Sequence, residues 1–424
     1  MGVVLFAVGS RGDVQPLACV AGRLRRRGVD VSVIGLAEYA GIVDDLGEGA
    51  RFVPIEADLA SAVRRGGLKD VLGSTPFGQL TLLKKWVAGL ADSFVEAALL
   101  EVTPGDTIVS GVLSRGVAAA LASARGCRAA TIVYTAQPPT MQRESYLFPQ
   151  YFTGWRPYDT WGTRYAWHLA TAIGGVLTDK ACDGLGLPRI SARAVTRQAD
   201  RHPTIVAASP VLVPPAADWP ERVHQSGYPA IPLREYSPDP VLADFLARPG
   251  SRGPRPVYVG FGSFTQFATR RDVDELAAVA RLADRPVVTL APAHTPEGLI
   301  APNLFAARSV PLEWLFPRVA ATIHHGGAGT IHEALRSGVP SVVTPIGTDQ
   351  PYHALRLHAL GLGPGPLPRR RADAEGLAGL IHEMLESPRA AGYRIRAQEV
   401  AAVVGAEDGA GRTVDLLDRL GLLP

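Results

Sequence analysis

A chain of 424 residues exceeds what one ordinary core holds and suits two domains of about 200 residues each. Its composition, 47% apolar and 20% charged, supplies enough side chains to fill both cores, so disorder is not expected. Forty-three Lys and Arg nearly balance forty Asp and Glu, and no basic cluster is interleaved with stacking aromatics, which excludes a nucleic-acid footprint.

The opening stretch MGVVLFAVGSRGD has neither a basic leader nor a long apolar segment and reads as a first strand rather than a signal peptide. Short apolar runs follow at Val29 (VDVSVIG), Arg51 (RFVPI), Asp106 (DTIVSG) and Cys127 (CRAATIVYT), as in strands buried on both faces of a parallel sheet. Amphipathic stretches lie between several of them, such as QPLACVAGRLRRRG, which Gly28 closes as a helix C-cap residue. The same alternation returns after residue 255 in PVYVGFGS, PVVTLAP, LFAARSVP, ATIHHGG and VPSVVTPIG. The pattern predicts an α/β protein with two doubly wound domains. The proline-rich segment from Val213 to Pro240 contains the interdomain linker, expected at 229–240.

Residues 137–170 concentrate aromatics, and two readings stand: a loop packed on the sheet, or a pocket wall for a large, partly apolar ligand. The runs Arg25–Arg27 and Arg369–Arg371 read as solvated element ends. The longest apolar stretch, GVAAALASA from Gly116, is too short to span a bilayer, so no stable membrane insertion is expected. Cys19, Cys127 and Cys182 lack any metal-ligand or disulfide spacing, and a reducing cytoplasm is the expected location.

The stretch HHGGAGTIHEALRSGVP at 324–340 carries the chemistry. It reads as strand end, glycine turn and helix, at the sheet edge where α/β proteins bind ligands. Gly326, Gly327 and Gly329 let backbone N–H groups approach a bound group without Cβ obstruction, and a helix N-terminus favours negative charge. That is a phosphate-binding design, in which an imidazole at His325 adds a donor that strengthens as a phosphate departs. The plainer alternative is a tight turn with capping histidines.

The run VPLEWLFPRVAATIHHGGAGTIHEALRSGVPSVVTPIGTDQPYHALRLHALGLGPG from Val310 joins VGFGSF at Val259 and VGSRGDVQPLACVAGRLRRRGVDVSV at Val8. Together they closely resemble the nucleotide-sugar-dependent glycosyltransferases of the GT-B fold, and within them the branch of sterol glucosyltransferases and of enzymes glycosylating vancomycin-type antibiotics and other natural products. The resemblance spans both halves and is weak across 60–215. It implies two Rossmann-like domains facing across a cleft: an acceptor-binding domain at 1–228, and a nucleotide-sugar domain at 241–424 whose final helix can pack back on the first.

By the same resemblance His325 contacts the donor diphosphate, with Gly327, Ala328, Gly329 and Thr330 as further donors. Glu333 holds the ribose hydroxyls, for which a carboxylate that accepts two hydrogen bonds is suited. Asp349 and Gln350 bind the sugar hydroxyls, although alone they read as a surface turn. Ser263 lies near the phosphates, Val310 beside the base, and Ser10 and Gly12 in the first loop are assigned to the donor. Asp13 matches the proposed general base of the branch, while its place before VQPLACV also suits a helix N-cap.

These roles imply inverting transfer of a hexose from a UDP- or TDP-sugar to a hydroxyl of a lipophilic or natural-product small molecule. The nucleotide sugar is a substrate; no cofactor and no metal are expected, and the chain is expected to be a monomer or homodimer. Two departures stand out. His353 occupies the place where the branch usually has an aromatic, which leaves the sugar open, and His332 is expected to be exposed. Among rivals, a dehydrogenase would need G-x-G-x-x-G after the first strand, where GSRGDVQP stands. A catalytically inactive homologue acting as an activating partner would be expected to lose the donor residues, which are all present.

Overall fold

The computed structural model describes residues 1–56, 76–233, 235–247, 254–262, 270–291, 295–308 and 310–424, the side chains of 76–79 excepted. They form two compact units, the first drawn from Met1–Ile231 and Glu407–Pro424, the second from Pro232–Ala406. The chain passes from the first to the second at Ile231–Pro232 and returns to the first at Glu407.

The first unit is built on β1 (Val3–Ala7), β2 (Val31–Leu36), β3 (Arg51–Ile55), β4 (Thr107–Ser110), β5 (Arg128–Val133), β6 (Thr204–Val206) and β7 (Val223–Gln225). They pair in parallel in the order β3-β2-β1-β4-β5-β6-β7. Side chains alternate along a strand, so both faces of β1 are apolar. Val3, Leu5 and Ala7 join one core with Leu17 and Leu24 of the helix Arg11–Arg26 and Val414 and Leu417 of the helix Gly409–Arg419. Val4 and Phe6 join the opposite core, where Phe6 meets Phe94 edge-on at 5.2 Å.

The return of the C-terminus is held by polar contacts as well. Arg23 Nη2 donates to both carboxylate oxygens of Asp408 at 3.1 and 3.0 Å, and Thr413 Oγ1 donates to Ser226 Oγ at 2.9 Å.

The second unit contains β8 (Val257–Gly260), β9 (Val287–Leu290), β10 (Gly298–Ala301), β11 (Leu304–Ala307), β12 (Thr322–His324) and β13 (Ser341–Val343). Their order is β10-β11-β9-β8-β12-β13, parallel except for the β10–β11 hairpin, which turns through Asn303 at φ 63°. Val257 and Val259 face the helices Arg270–Leu282 and Ala374–Leu385, whereas Tyr258 faces Phe245 and Phe316.

Both sheets are thus doubly wound α/β layers, and every strand read from the sequence is present. The additional strands are β6, β7 and β10, three or four residues long. In each sheet the strand order reverses at one point, between β1 and β4 and between β8 and β12. Such a switch point opens a crevice at the carboxyl ends of the strands. Among the described residues no helix is long and apolar enough to cross a membrane.

Candidate active site

At the carboxyl end of β12, His325 and Gly326 turn the chain and Gly327 becomes the N-cap of the helix Ala328–Ser337. No side chain among the described residues caps this end, so its first N–H groups are presented along a half-buried edge at 327–330. Gly326 has φ 85°, a left-handed conformation, and a Cβ there would sit 2.6 Å from Val343. A Cβ at Gly327 would lie 2.5 Å from His325 Nε2, and one at Gly262, φ 59°, would collide with the same ring. The imidazole of His325 therefore lies against the bare backbone of two glycines, one from each side of the switch point.

The paired histidines divide their work. His324 is fully buried, and its Nδ1 accepts the N–H of Gly326 at 3.1 Å, so it braces the turn from beneath. Burial pushes its pKa down to about 3, with the neighbouring imidazoles of His325 and His353 adding to the effect. Burial likewise takes His325 down to about 4 despite the opposing charge of Asp349. Both rings are neutral at pH 7, and a neutral imidazole has one donating nitrogen for a phosphate.

His332 is buried, not exposed as expected from the sequence; its Nδ1 lies 2.6 Å from the carbonyl of Ala328, one helical turn back. Burial lowers its pKa to about 3. The face of the helix it occupies is turned to the core, because Ile331 and Leu335 on the same helix are buried too.

Glu333 is buried beside Arg336, whose Nη1 lies 3.4 Å from Oε1. Burial raises its carboxyl to about 7, Arg336 opposing and Glu313 adding. Val310 and Trp314 pack with Ala334 of the same helix, so the assigned base-side residue rests on the helix that carries the assigned ribose-side residue.

The loop after β13 runs into the helix Gln350–Ala359. Asp349 stands at its N-cap position and is partly exposed, and Thr348 Oγ1 donates to its Oδ1 at 2.9 Å. Gln350 is buried, and its Oε1 accepts the N–H groups of Ile346 at 2.8 Å and Gly347 at 3.3 Å. His325, Gly327, Ala328, Gly329, Thr330, Asp349 and Gln350 are thus gathered at the exits of two neighbouring strands. Ser263 lies outside the described residues.

In the first unit, the loop after β1 leads into the helix Arg11–Arg26, four residues earlier than its apolar period begins. Ser10 is the N-cap, and Asp13 is not; Asp13 is the N3 residue of a capping box. Its Oδ2 accepts the Ser10 N–H at 2.8 Å, while Ser10 Oγ accepts the N–H of Gly12 at 3.3 Å. The carboxylate lies over Gly9, where a Cβ would strike it. Tyr134 is a half-buried neighbour whose hydroxyl pKa is raised by desolvation first and by the Asp13 charge second.

The aromatic segment resolves into two parts. Tyr146 in the loop and Trp167 on the helix Arg156–Ile173 are buried, whereas Tyr151, Trp155, Tyr158, Trp161 and Tyr165 are exposed. Arg156, Pro157, Thr160, Trp161, Arg164 and Tyr165 form an open face of the helix Arg156–Ile173, with Trp161 and Tyr165 stacked at 5.1 Å.

Residues 274–411 match the family described as erythromycin biosynthesis protein CIII-like, C-terminal domain. An O-mycaminosyltylonolide 6-deoxyallosyltransferase from Streptomyces fradiae is 30% identical over 437 residues, covering 99% of this chain and 97% of that protein. The chain belongs to the GT-B glycosyltransferases of antibiotics and sterols. A sterol 3-beta-glucosyltransferase of Arabidopsis thaliana is 27% identical over 435 residues, 98% of this chain and 68% of that one. The fold is shared with the solved glycotransferase of kitacinnamycin at a TM-score of 0.71 and 22% identity, over 100% and 99% of the two chains. This glycosyltransferase carries the glycine turn after β12 in its second unit and the capping-box loop after β1 in its first.

Proposed function

We propose that this glycosyltransferase moves a hexose from a UDP- or TDP-sugar to a hydroxyl of a lipophilic natural product, with inversion at the anomeric carbon. The observation that carries this reading is the uncapped helix N-terminus at Ala328, reached through Gly326 and Gly327 with a neutral His325 against them. Backbone N–H groups and the helix dipole meet the diphosphate, and their grip strengthens as the leaving group gains charge. Those donors do this without a metal, so transfer proceeds in its absence.

Asp13 acts as general base, and its hydrogen bond from the Ser10 N–H holds the carboxylate in one place for that task. Proton removal from the acceptor hydroxyl accompanies attack on an oxocarbenium-like anomeric carbon while the nucleoside diphosphate departs. Asp349 and Gln350 meet the sugar hydroxyls, Glu333 the ribose, Val310 the base, and Ser10, Gly12 and Ser263 the donor. The tylonolide in the name of the Streptomyces relative and the sterol in that of the Arabidopsis one support a lipophilic acceptor, and the deoxyallosyl group of the former supports a hexose-derived donor. The exposed aromatic face of the helix Arg156–Ile173 offers such a molecule an apolar surface.

The test is turnover by the purified single chain with UDP- and TDP-sugars against a panel of lipophilic hydroxyl compounds, read by mass spectrometry with and without EDTA. Donor-dependent product that persists in EDTA is expected. Nucleotide binding with no transfer to any acceptor would favour an inactive partner protein, and activity restored only by one divalent ion would overturn the metal-free route.

A further inference from the structure

His353 stands where relatives of this chain are expected to carry a larger aromatic, and its surroundings give it a task. It is fully buried, and its Nδ1 lies 2.7 Å from the carbonyl oxygen of Gly326. A carbonyl only accepts, so Nδ1 carries the proton and donates. The same nitrogen is 3.9 Å from Asp349 Oδ2, and the His353 backbone N–H donates to the Asp349 carbonyl at 3.2 Å. One imidazole therefore ties the exit of β12 to the exit of β13.

The consequence follows from the planarity of the peptide. The carbonyl of Gly326 and the N–H of Gly327 belong to one trans unit and point in opposite directions. Holding that carbonyl inward turns the Gly327 N–H outward, toward the half-buried edge where an anion would sit. Gly326 and Gly327 flank this unit, and glycine resists rotation of a peptide plane less than any other residue. Without a clasp the plane can flip and present an oxygen to the phosphate, which repels it.

On the reading that this turn takes the donor diphosphate, we propose that His353 is a positioning residue of the glycosyltransferase: by holding the Gly326 carbonyl it fixes the polarity of the diphosphate turn and its register with Asp349. It touches neither substrate. Its effect belongs to the diphosphate, so a ligand lacking phosphates is indifferent to it.

The experiment compares His353→Leu, which removes the donor, with His353→Asn, whose amide N–H can replace Nδ1–H. Dissociation constants for UDP, TDP, uridine and thymidine are measured by calorimetry on the full chain, with melting temperatures recorded and KM for donor and acceptor determined separately. The leucine variant is expected to bind the diphosphates about tenfold or more weakly, the scale of one lost directed hydrogen bond. Its nucleoside affinity and acceptor KM stay near the parent, and the asparagine variant recovers most of the loss. Equal diphosphate affinity in parent and leucine variant overturns the proposal, as does a parallel loss of nucleoside and diphosphate that asparagine does not rescue. If the parent itself binds neither UDP nor TDP, the diphosphate reading fails, and the role of His353 falls with it.

Discussion

Asp13 shows how one residue can satisfy a local rule and a chemical one together. As N3 of the capping box it accepts the Ser10 N–H, and the same constraint aims a carboxylate from the loop after β1. The two roles separate on substitution. Asp13→Asn retains an acceptor for the cap but lacks a base, so donor affinity and melting temperature should stay near the parent while transfer slows about a hundredfold or more. His325→Ala should weaken donor binding and turnover together, because the diphosphate is present in the ground state and gains charge in the transition state. Steady-state kinetics with nucleotide titration checks both; an Asp13→Asn enzyme at the parent rate would reduce Asp13 to a cap.

Among elements, turns are built on glycines for distinct reasons, as Gly49 before β3 and Gly262 after β8 show. Gly49, φ 81°, has open space around its Cβ position, so a side chain there meets only backbone strain. Gly262, φ 59°, faces that strain and also the ring of His325. Gly49→Ala and Gly262→Ala should both lower stability by about 1 kcal/mol or more. Only Gly262→Ala should raise the donor KM, by roughly ten- to a hundredfold, the scale on which a displaced contact slows a reaction. A Gly262→Ala enzyme whose donor KM matches that of Gly49→Ala would show that the ring does not depend on this close approach. The candidate turn itself is legible in the amino-acid sequence, because its strand, glycines and helix are contiguous in the chain.

At the scale of the whole molecule, buried titratable groups set a pH window. His324, His325 and His332 have pKa values lowered to about 3, 4 and 3. The unfolded chain therefore binds protons first as pH falls below about 6.5, and stability drops, on the order of 2 kcal/mol per histidine by pH 5. Glu333 works in the opposite sense: its carboxyl is raised to about 7, so the unfolded chain releases that proton first. The penalty grows as pH rises from about 4.5 to 7 and reaches on the order of 3 kcal/mol. Three groups outweigh one, so stability should fall from pH 7 to pH 5. Glu333→Gln should raise stability at pH 8 and steepen the acid loss, which denaturant melts across pH 5–8 measure. A flat stability profile over that range would contradict the burial of these side chains.

The amino-acid sequence by itself determined the two α/β layers, because runs such as VVLFA at Val3 and VYVG at Val257 are apolar at every position and pack only between two covered faces. It also determined the turn at Gly326–Thr330, whose requirements are local. Tertiary structure alone decided the rest. The strand β10 pairs antiparallel with β11 through a hairpin, and the last helix returns to the first unit through pairs such as Thr413 with Ser226, 187 residues apart. His332, expected to be exposed, and His353, which stands in place of the usual aromatic, are both buried: one against the carbonyl a turn behind it, the other against Gly326, 27 residues away. A polar side chain enters a core when a partner awaits it there, and that partner is supplied by the fold.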